Sequence, residues 1–539
     1  MMVILLTAGN AERLKPIIAN GEKALLEVEG KPMVIELIQK YMKKEVNRFV
    51  IVTNSSNKSQ IEEVVNDFFK YADLKIDIVV QSEVTGPGVA LSLCAEFIDQ
   101  PVAIHLADTI CELEGEYKGN WIGVQEIFSE YSKWCIVETN DRGVVKHLID
   151  KPTQNFSKGY AAIGMYFFED YYVLRKILSN NKDIRELSDC FIEFMKIKEI
   201  SIWKFNEWKD IGNLKDYIKY INRSMGCRHF NSLEIDEWGS CIKKSENKEK
   251  LKQEVEWYQN VQEFPSIKRL IPSIYSVEKD SYSMECLDYP MLSYLFLYKR
   301  IPKENWMVLI EKFLELMQSR FWKQTKEVSN ARDLCKKMYI DKLEIRMKEW
   351  DAKDLLDREY IYINKSRYYG FPALQKFLYE DIEKLLNSIG NNFGVIHGDL
   401  VFSNILITPR RLQFKLLDAR GNFGENGVYG DVRYDIAKLR QCYHGMYDFI
   451  MADAYYFKEN SEGNYQFALY SQNPIDYLKW DAEIDKMGYS IDEIEIIEIL
   501  LFISLIPLHA ENKMRQKVFF LRAIQILNQH YFETMKKSL

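Results

Sequence analysis

The chain has 539 residues, more than one ordinary hydrophobic core can organise, because domains usually contain about 100–200 residues. Its composition is 47% hydrophobic and 28% charged with a formal net charge of -7, which excludes a globally basic surface for nucleic acid. We therefore expect two or three domains, and any phosphate-binding site must be a local feature.

The first part of the chain alternates short apolar runs with amphipathic segments. The runs at 3–6, 49–52, 76–80 and 102–106 predict strands, and the segments at 32–43 and 59–71 predict helices. This alternation predicts an α/β domain with a mostly parallel, Rossmann-like sheet. Further strands are predicted at 134–137, 144–149 and 161–168.

The pattern changes near residue 226, and we place the domains at 1–226 and 227–539. The second domain begins with the signals of a strand, a turn, a second strand and a helix. After residue 302 the chain is predicted to be mostly helical, interrupted around 395–420 by two short β runs.

The nine cysteines are scattered without a Cys-x-x-Cys pair, which favours a reduced, cytoplasmic setting. The longest apolar run, at 499–508, is far shorter than the roughly 20 residues that span a bilayer. We therefore expect a buried helix there, and no membrane span.

The first candidate site begins where the strand at 3–6 runs into the sequence TAGNAER. Backbone N–H groups of such a small-residue turn, around Ala8 and Gly9, can approach phosphate oxygens. Arg13 and Lys23 follow and would add positive charge. A strand-end turn with one glycine is more often structural, so this motif gains weight only from later segments.

Those later segments place charged residues at predicted strand ends. Asp108 lies at the end of the predicted strand in AIHLADT, Lys151 follows the strand in LIDKP, and Asp210 precedes a turn in EWKDIGN. At the carboxyl edge of a parallel sheet, the two carboxylates together could hold Mg²⁺ against a triphosphate. Gly164 interrupts an apolar strand, where a missing side chain often marks the close approach of a ligand.

In this order, the segments over residues 2–222 resemble the sugar-phosphate nucleotidyltransferase superfamily, including its phosphocholine cytidylyltransferase branch. Gly9 and Arg13 match the fingerprint G-x-G-T/S-R, whereas Ala11 and Glu12 depart from it and place a negative charge where phosphates approach. The resemblance implies these roles: Arg13 and Lys23 for the triphosphate, Gln81 and Gly86 for the base, Asp108 and Asp210 for Mg²⁺, and Lys151 for the phosphate of the substrate.

The second candidate site is the sequence VIHGDLVFSNIL at 395–406. Asp399 and Asn404 are five residues apart and His397 precedes Asp399 by two, which is the spacing of a kinase catalytic loop. In such a loop the aspartate deprotonates the attacking hydroxyl and the amide oxygen binds Mg²⁺. Asp418 in FKLLDARG stands where a second metal-binding carboxylate belongs. We expect His397 to hold the loop rather than to transfer protons.

A lysine on a predicted strand and a glutamate on the following helix precede this loop, at Lys243 and Glu254. Such a pair is typical of sites that position nucleotide phosphates. Lys243 is preferred to Lys244 because strand alternation lets only one of them point into a cleft. Solvation of one or both lysines is the alternative.

Residues 230–530 resemble the aminoglycoside phosphotransferase and choline kinase family. The resemblance implies a protein-kinase-like α+β fold with a sheet in the N-lobe and a largely helical C-lobe. The segment YGDVRYDIAKL, with Asp431 and Asp435, matches the part of that family that buttresses the catalytic loop. No G-x-G-x-x-G motif lies near 230–240, but this loop is commonly degenerate in the family.

A kinase creates a phosphomonoester and a nucleotidyltransferase consumes one. The two resemblances imply a bifunctional enzyme that phosphorylates a small alcohol or sugar with ATP and then joins the phosphate to a second NTP, CTP or UTP, using Mg²⁺. The product would be an NDP-activated precursor for surface polysaccharide. We favour a sugar or polyol acceptor. One alternative pairs a choline or amino-alcohol kinase with a CTP:phosphocholine cytidylyltransferase, and another is a kinase regulated by a non-catalytic, nucleotide-binding N-terminal domain.

Overall fold

The structure is a computed structural model that describes most of the chain. The described residues are 1–9, 23–28, 30–70, 72–113, 117–153, 159–180, 184–213, 216–217, 220, 231–236, 238–287, 289–350, 353–408, 412–424, 426–460, 464–470 and 473–538. They divide into two compact units, the first formed by Met1–Asp67 and Asp73–Gly226 and the second by Phe68–Ala72 and Cys227–Leu539.

The first unit alternates strands with helices. Its strands are β1 (Met2–Leu6), β2 (Glu27–Val28), β3 (Lys31–Pro32), β4 (Arg48–Asn54), β5 (Lys75–Gln81), β6 (Val102–Leu106), β7 (Thr109–Cys111), β8 (Asn120–Ile127), β9 (Cys135–Thr139), β10 (Val145–Asp150), β11 (Gly159–Phe168), β12 (Ser201–Lys204) and β13 (Trp208–Asp210). Its helices are α1 (Met33–Met42), α2 (Lys58–Phe68), α3 (Pro87–Ser92), α4 (Tyr171–Asn180) and α5 (Leu187–Met195).

The main sheet of this unit runs in the order β10-β9-β11-β6-β1-β4-β5, with β8 beside β11 and β12 beside β8. The four neighbouring strands β6, β1, β4 and β5 are parallel, whereas β11 joins β6 in the antiparallel direction. Strands β1 and β4 are buried along their whole length, as parallel strands covered on both faces should be. The predicted α/β domain is thus confirmed, and its parallel part lies in the first half of the unit.

The second unit begins with an antiparallel sheet and continues mainly as helices. Its strands are β14 (Asn231–Ile235), β15 (Cys241–Ser245), β16 (Ile274–Val277), β17 (Ser281–Met284), β18 (Thr325–Glu327), β19 (Tyr360–Ile363), β20 (Ser366–Tyr369), β21 (Asn392–Val395), β22 (Ile405–Thr408), β23 (Gln413–Leu416), β24 (Tyr429–Gly430), β25 (Tyr455–Glu459) and β26 (Asn464–Leu469).

The α-helices of the second unit account for most of its later residues. They are α6 (Lys248–Val261), α7 (Pro265–Lys268), α8 (Leu292–Leu297), α9 (Asn305–Met317), α10 (Ala331–Lys336), α11 (Lys342–Lys348), α12 (Lys353–Leu356), α13 (Phe371–Asn387), α14 (Val432–Tyr443), α15 (Tyr447–Met451), α16 (Tyr477–Lys486), α17 (Ile491–Leu505) and α18 (Lys513–Ser538).

The first sheet of this unit has the order β14-β15-β17-β16, and helix α6 follows β15 directly. Helix α14 is buried at every position from Arg433 to Tyr443, and it packs against α17. The apolar run at 499–508 forms the end of α17 and the short 3-10 helix Ile506–His509, and its residues through Ile506 are buried. No helix among the described residues combines the length and the apolar character needed to cross a membrane.

The region after residue 302 contains more β structure than the sequence predicts. The expected pair of short strands is present as β22 and β23, but β19, β20, β25 and β26 form a separate sheet. Strand β19 pairs with β26, which lies about 100 residues later, through Tyr362 opposite Asn464. The two β runs predicted at 395–420 are therefore confirmed, whereas the sheet of β19, β20, β25 and β26 was not predicted.

Candidate functional site

The turn after β1 is held by the end of the neighbouring strand β4. The Thr7 hydroxyl donates to the Val52 carbonyl at 2.7 Å, and the Asn54 side-chain amide donates to the Ala8 carbonyl at 3.2 Å. Ala8 is buried, whereas a side chain at Gly9 would face open space. The turn is thus held by hydrogen bonds at Thr7 and Ala8, and the space beside Gly9 is open. Arg13, with the departures at positions 11 and 12, lies outside the described residues.

The two carboxylates predicted to hold Mg²⁺ meet in the first unit. Strand β7 pairs with β13, and the Ile211 N–H donates to the Asp108 carbonyl at 3.0 Å. A Cβ built on Gly212 would lie 2.8 Å from both Asp108 Oδ2 and Asp210 Oδ1, and 3.3 Å from Lys23 Nζ. Lys23 also forms an ion pair with Asp108. Three residues separated by up to 187 positions in sequence therefore converge on one point.

The turn that carries Asp108 is held from within the sheet by a neutral histidine. The ring of His105 donates through Nε2 to the Thr109 carbonyl at 3.1 Å and accepts from the Tyr41 hydroxyl at Nδ1. Burial lowers the pKa of His105 to about 4, so the ring stays neutral. Sequence reasoning missed this residue. It also linked Gly164 to a ligand, whereas a side chain there would collide with Thr109 and Leu106, so packing explains that glycine.

The chemistry of this cluster fits a magnesium ion. Carboxylate oxygens are the protein ligands that Mg²⁺ prefers, and few of them are needed because substrate phosphates complete the shell. The side chains of Lys23 and Asp108 are 15% and 19% exposed, so both remain accessible to a ligand. In the absence of a metal, the lysine partly neutralises a pair of carboxylates that would otherwise repel each other.

Gln81 and Gly86, the two residues predicted to contact the base, lie next to each other in the first unit. The buried Gln81 side chain donates to the Gly86 carbonyl at 3.1 Å. Gly86 has a φ of 137°, and a side chain there would collide with the Arg185 carbonyl. Glycine is thus required at this position by backbone packing. Helix α3 then begins with Pro87, whose fixed φ suits a first helical position.

Lys151 directly follows β10 in a left-handed backbone conformation with a φ of 45°. Its side chain is 62% exposed and its Nζ lies 3.6 Å from Asp150. Burial raises the pKa of Glu186, and the charge of Lys151 opposes that rise. Asp108, Asp150 and Glu186 all raise the pKa of the buried Tyr166, after the larger effect of burial. These charged groups therefore face one part of the sheet.

In the second unit, Lys243 lies between two carboxylates. Its Nζ lies 2.8 Å from Glu254 Oε1 and 2.8 Å from Asp418 Oδ1, and the Tyr282 hydroxyl donates to the same Glu254 oxygen at 2.7 Å. Burial alone would lower the pKa of Lys243, but Glu254 and Asp418 together raise it above its ordinary value. Lys244 points the other way, is 51% exposed and pairs with Glu234.

The predicted catalytic loop is held by its own side chains. The Asn404 amide group donates to the Asp399 carbonyl at 2.9 Å, which leaves the Asn404 side-chain oxygen out of that bond. The buried His397 donates through Nε2 to the Leu417 carbonyl at 2.9 Å, and burial lowers its pKa to about 4. His397 thus carries no positive charge at neutral pH and connects the loop to the segment that leads to Asp418.

Helix α14 supports the same loop from beneath. The buried Asp435 accepts hydrogen bonds from the backbone N–H groups of His397 and Gly398, both at 2.8 Å, and from the Trp322 indole at 3.3 Å. Asp431 caps the start of the helix by accepting from the Arg433 N–H at 3.0 Å. Two carboxylates of the segment YGDVRYDIAKL are therefore committed to structure.

Asp418 has a left-handed backbone, with a φ of 56°, and its N–H donates to the Tyr258 hydroxyl at 3.1 Å. A side chain at Gly421 would overlap the Gln253 backbone, so the turn after Asp418 touches helix α6 directly. The Asp418 side chain is 47% exposed. A carboxylate of this exposure, together with the Asn404 amide oxygen, fits the ligand preference of Mg²⁺.

Two basic residues that were not predicted from the sequence, Lys438 and Arg420, lie at the loop of Asp399. Lys438 Nζ is 3.1 Å from Asp399 Oδ1, and its side chain is 9% exposed. Lys438 follows Asp435 by three residues on α14, so helical spacing puts both on the face toward the loop. That spacing was the available signal. Arg420, which follows Asp418 by two residues, donates through its backbone N–H to the His397 carbonyl at 2.9 Å.

One further group of metal-ligand type, His444, Glu495 and Glu498, occurs among the described residues. Arg440 makes ion pairs with Glu498 and, at 3.1 Å, with Glu495. His444 Nδ1 lies 3.1 Å from Glu498. The guanidinium already supplies the positive charge that a metal would bring, so we interpret this group as a buried ion network that joins α14 to α17.

Residues 2–225 match the family model described as nucleotidyl transferase, so this part of the chain is a nucleotidyltransferase domain. The bifunctional protein GlmU of Methanocaldococcus jannaschii is 27% identical over 225 residues, which are 41% of this chain and 53% of that protein. The low-salt glycan biosynthesis nucleotidyltransferase Agl11 of Haloferax volcanii is 26% identical, over 41% of this chain and 64% of that protein.

The chain spans about half the length of the first of these curated relatives. Among solved structures, UDP-glucose pyrophosphorylase complexed with UDP-glucose is 22% identical, with a TM-score of 0.36, over 41% of this chain and 97% of that one.

Proposed function

We propose that the chain is a two-step enzyme. Residues 227–539 transfer a phosphoryl group from ATP to a small alcohol or sugar, and residues 1–226 join the product to a second NTP with release of pyrophosphate. The observation that carries this proposal is the contact of Lys243 with both Glu254 and Asp418, in the same unit as the loop of Asp399 and Asn404. A site that makes a phosphomonoester gives the nucleotidyltransferase domain its substrate.

In the first step, the acceptor hydroxyl oxygen forms a bond to the γ-phosphorus while the bond from that phosphorus to the oxygen bridging the β- and γ-phosphates breaks. Asp399 accepts the hydroxyl proton, and ADP leaves with the bond electrons. Lys243, oriented by Glu254, binds the phosphates of ATP. Mg²⁺ held by Asn404 and Asp418 would neutralise charge on the β- and γ-phosphates.

In the second step, a phosphate oxygen of the phosphorylated acceptor attacks the α-phosphorus of the NTP and pyrophosphate leaves. No side chain need act as nucleophile, so the residues align the reactants and balance their charge. Lys23 and Arg13 bind the triphosphate. Gln81 and Gly86 contact the base, and Lys151 binds the acceptor phosphate. Mg²⁺ held by Asp108 and Asp210 would stabilise the charge on the triphosphate.

We propose a sugar or polyol as the acceptor, CTP or UTP as the second nucleotide and an activated precursor of surface polysaccharide as the product. The relatives support this because Agl11 is named for glycan biosynthesis. A choline kinase would require an aromatic cage for the quaternary ammonium. Trp257, a tryptophan near the start of this unit, is fully buried and donates to the Ile396 carbonyl, so it is not open to such a ligand.

The test of the two-step reaction uses the full-length chain. ADP formation is measured with a panel of alcohols and sugars, and pyrophosphate release is measured with each of the four NTPs and a panel of phosphorylated acceptors. We expect the best kinase substrate, once phosphorylated, to be the best transferase substrate. Pyrophosphate release without ADP formation from any acceptor would contradict the kinase assignment. Phosphorylation without any pyrophosphate release would favour a regulatory N-terminal domain.

A further inference from the structure

Four basic residues of the second unit lie together beside the loop of Asp399, and we call them the basic cluster: Lys342, Arg346, Arg420 and Lys438. Helix α11 contributes the first two, the turn after Asp418 contributes Arg420, and α14 contributes Lys438. The chain as a whole has a net charge of -7, so this accumulation is local. It lies beside the group that is proposed to receive the hydroxyl proton of the acceptor.

Two members of the cluster contact the loop directly. Lys438 Nζ is 3.1 Å from Asp399 Oδ1. Arg420 lies against Gly398, where an added side chain would meet the Arg420 Cβ at 2.8 Å. The Arg420 guanidinium also donates to the Tyr434 hydroxyl, which keeps it folded over helix α14. Both cations are therefore held close to Asp399 by contacts of their own.

The other two members lie one helical turn apart on α11. Arg346 donates to the Ser504 carbonyl and hydroxyl, both at 3.3 Å. Burial and the neighbouring Arg420 lower the pKa of Arg346, while Asp399 opposes that shift. Lys342 is half-buried, and its pKa falls to about 6 through burial and then through repulsion by Arg420, Arg346, Lys438 and Lys250, so its amine is largely uncharged at neutral pH until an anion binds beside it.

The cluster has more positive charge than the fold balances. Asp399 pairs with Lys438, and Asp399 and Glu349 both act on Arg346, whereas the Lys342 side chain has no hydrogen bond or ion pair within the part of the chain that the structure describes. Like charges brought together in a partly buried place repel each other, and a fold tolerates this where a ligand supplies the opposite charge. The ATP phosphates already have Lys243 as their counterpart, on the side of Asp418.

We propose that the acceptor of the kinase site is an anionic alcohol, one that carries a carboxylate or phosphate group besides the hydroxyl that becomes phosphorylated. The inference rests on the proposed kinase function and narrows its substrate class. The anionic group binds Lys342 and Arg346, while the hydroxyl reaches Asp399 beside Lys438. A quaternary ammonium acceptor such as choline is thereby disfavoured, because it would add another positive charge beside the cluster.

The test compares alcohols that share a skeleton and differ in charge: glycerate with glycerol, and galacturonate with galactose and galactosamine, with choline as a separate cation. ADP formation gives kcat and KM, and calorimetry with a non-hydrolysable ATP analogue and Mg²⁺ gives affinity. We expect the anionic member of at least one set to be preferred by about tenfold or more, as charge-assisted hydrogen bonds allow. Equal or stronger use of the neutral or cationic members would overturn the inference.

Variants separate the acceptor from the nucleotide. Lys342→Met and Arg346→Met should each raise the KM for the anionic acceptor by about tenfold while the KM for ATP stays unchanged. Lys376→Met, at a lysine that is 83% exposed on α13, is the matched control and should change neither. A rise in the KM for ATP instead would assign the cluster to the nucleotide. A chain that binds no ATP analogue would refute the kinase proposal itself, whereas binding of the analogue without anion preference refutes only this inference.

Discussion

Both units pair one lysine with a carboxylate and bring a second carboxylate near, but they build this arrangement differently. In the first unit, Lys23 and Asp108 stand partly exposed where the short strand pair β7 and β13 ends. In the second unit, the Lys243 side chain is 4% exposed and Glu254 is additionally hydrogen-bonded by Tyr282. The first cluster is thus partly open to solvent at the end of a strand pair, whereas the second is buried within the fold. The same substitution should therefore have different consequences in the two units.

The largest effect is expected at the proposed catalytic base. Asp399→Asn keeps the size of the side chain but removes the charge, so the rate of ATP-dependent phosphorylation should fall by about 10²–10⁴-fold. Nucleotidyl transfer from a supplied phosphorylated acceptor should be unchanged. The exposed Asp492→Asn on α17 is the matched control. Loss of both activities in Asp399→Asn would show that the two sites are not independent.

The lysines test the contrast in how the clusters are built. Lys243→Met leaves Glu254 buried without its counter-charge and should lower the free energy of unfolding of the second unit by about 3 kcal/mol, besides abolishing ATP binding. Lys23→Met should cost less than about 1 kcal/mol of stability, since its pair is partly solvated. Urea denaturation of the full chain, followed with probes for each unit, measures both changes. Lys244→Met is the control, and equal losses at Lys23 and Lys243 would contradict the contrast.

The carboxylates of the first unit should matter for activity more than for stability. Asp108→Asn and Asp210→Asn each remove a charge proposed to hold Mg²⁺, so pyrophosphate release should fall by about 10²-fold or more. Kinase rates should stay at the unsubstituted value. Asp141→Asn, in the exposed turn between β9 and β10, serves as the control. Normal pyrophosphate release in Asp108→Asn would remove the argument for a metal at this edge.

The smallest effect is expected at Lys151. Its side chain is 62% exposed, so Lys151→Ala should raise the transferase KM for the phosphorylated acceptor by about tenfold with little change in kcat. Lys146→Ala, on the same strand β10, tests for a general loss of surface charge. A fall in kcat with no change in KM would instead place Lys151 at the reacting phosphates.

Local patterns predicted much of the fold. The run at 102–106 coincides with β6, and the amphipathic segment at 32–43 contains α1, because burial of one face or of a whole strand leaves a period that can be read from the sequence. The sheet formed by β19, β20, β25 and β26 was not predicted. Its aromatic strands, such as Tyr360–Ile363, lie within a region of helical signals, and its two local hairpins join through a pairing about 100 residues apart.

The candidate sites show the same limit. Motif spacing singled out Asp399, Asn404 and Asp418 because one loop and one strand end carry them. Lys438 shares a face of α14 with Asp435 but meets Asp399 only after that helix has packed, and Lys342 comes near Lys438 only after α11 has packed. The basic residues near the proposed acceptor position could therefore be recognised only from the folded chain. The proposal of an anionic acceptor rests on those basic residues rather than on the catalytic motif.

The most direct test of the two-step proposal is complementation between two inactive chains. Asp399→Asn alone and Asp108→Asn alone, each given the alcohol that the unsubstituted chain phosphorylates best, ATP and the preferred NTP, should form no NDP-linked product by mass spectrometry. Mixed together they should restore it, because the phosphorylated intermediate made by one chain diffuses to the other. If the mixture stays inactive while each chain retains its remaining activity on supplied substrate, the two activities do not share an intermediate.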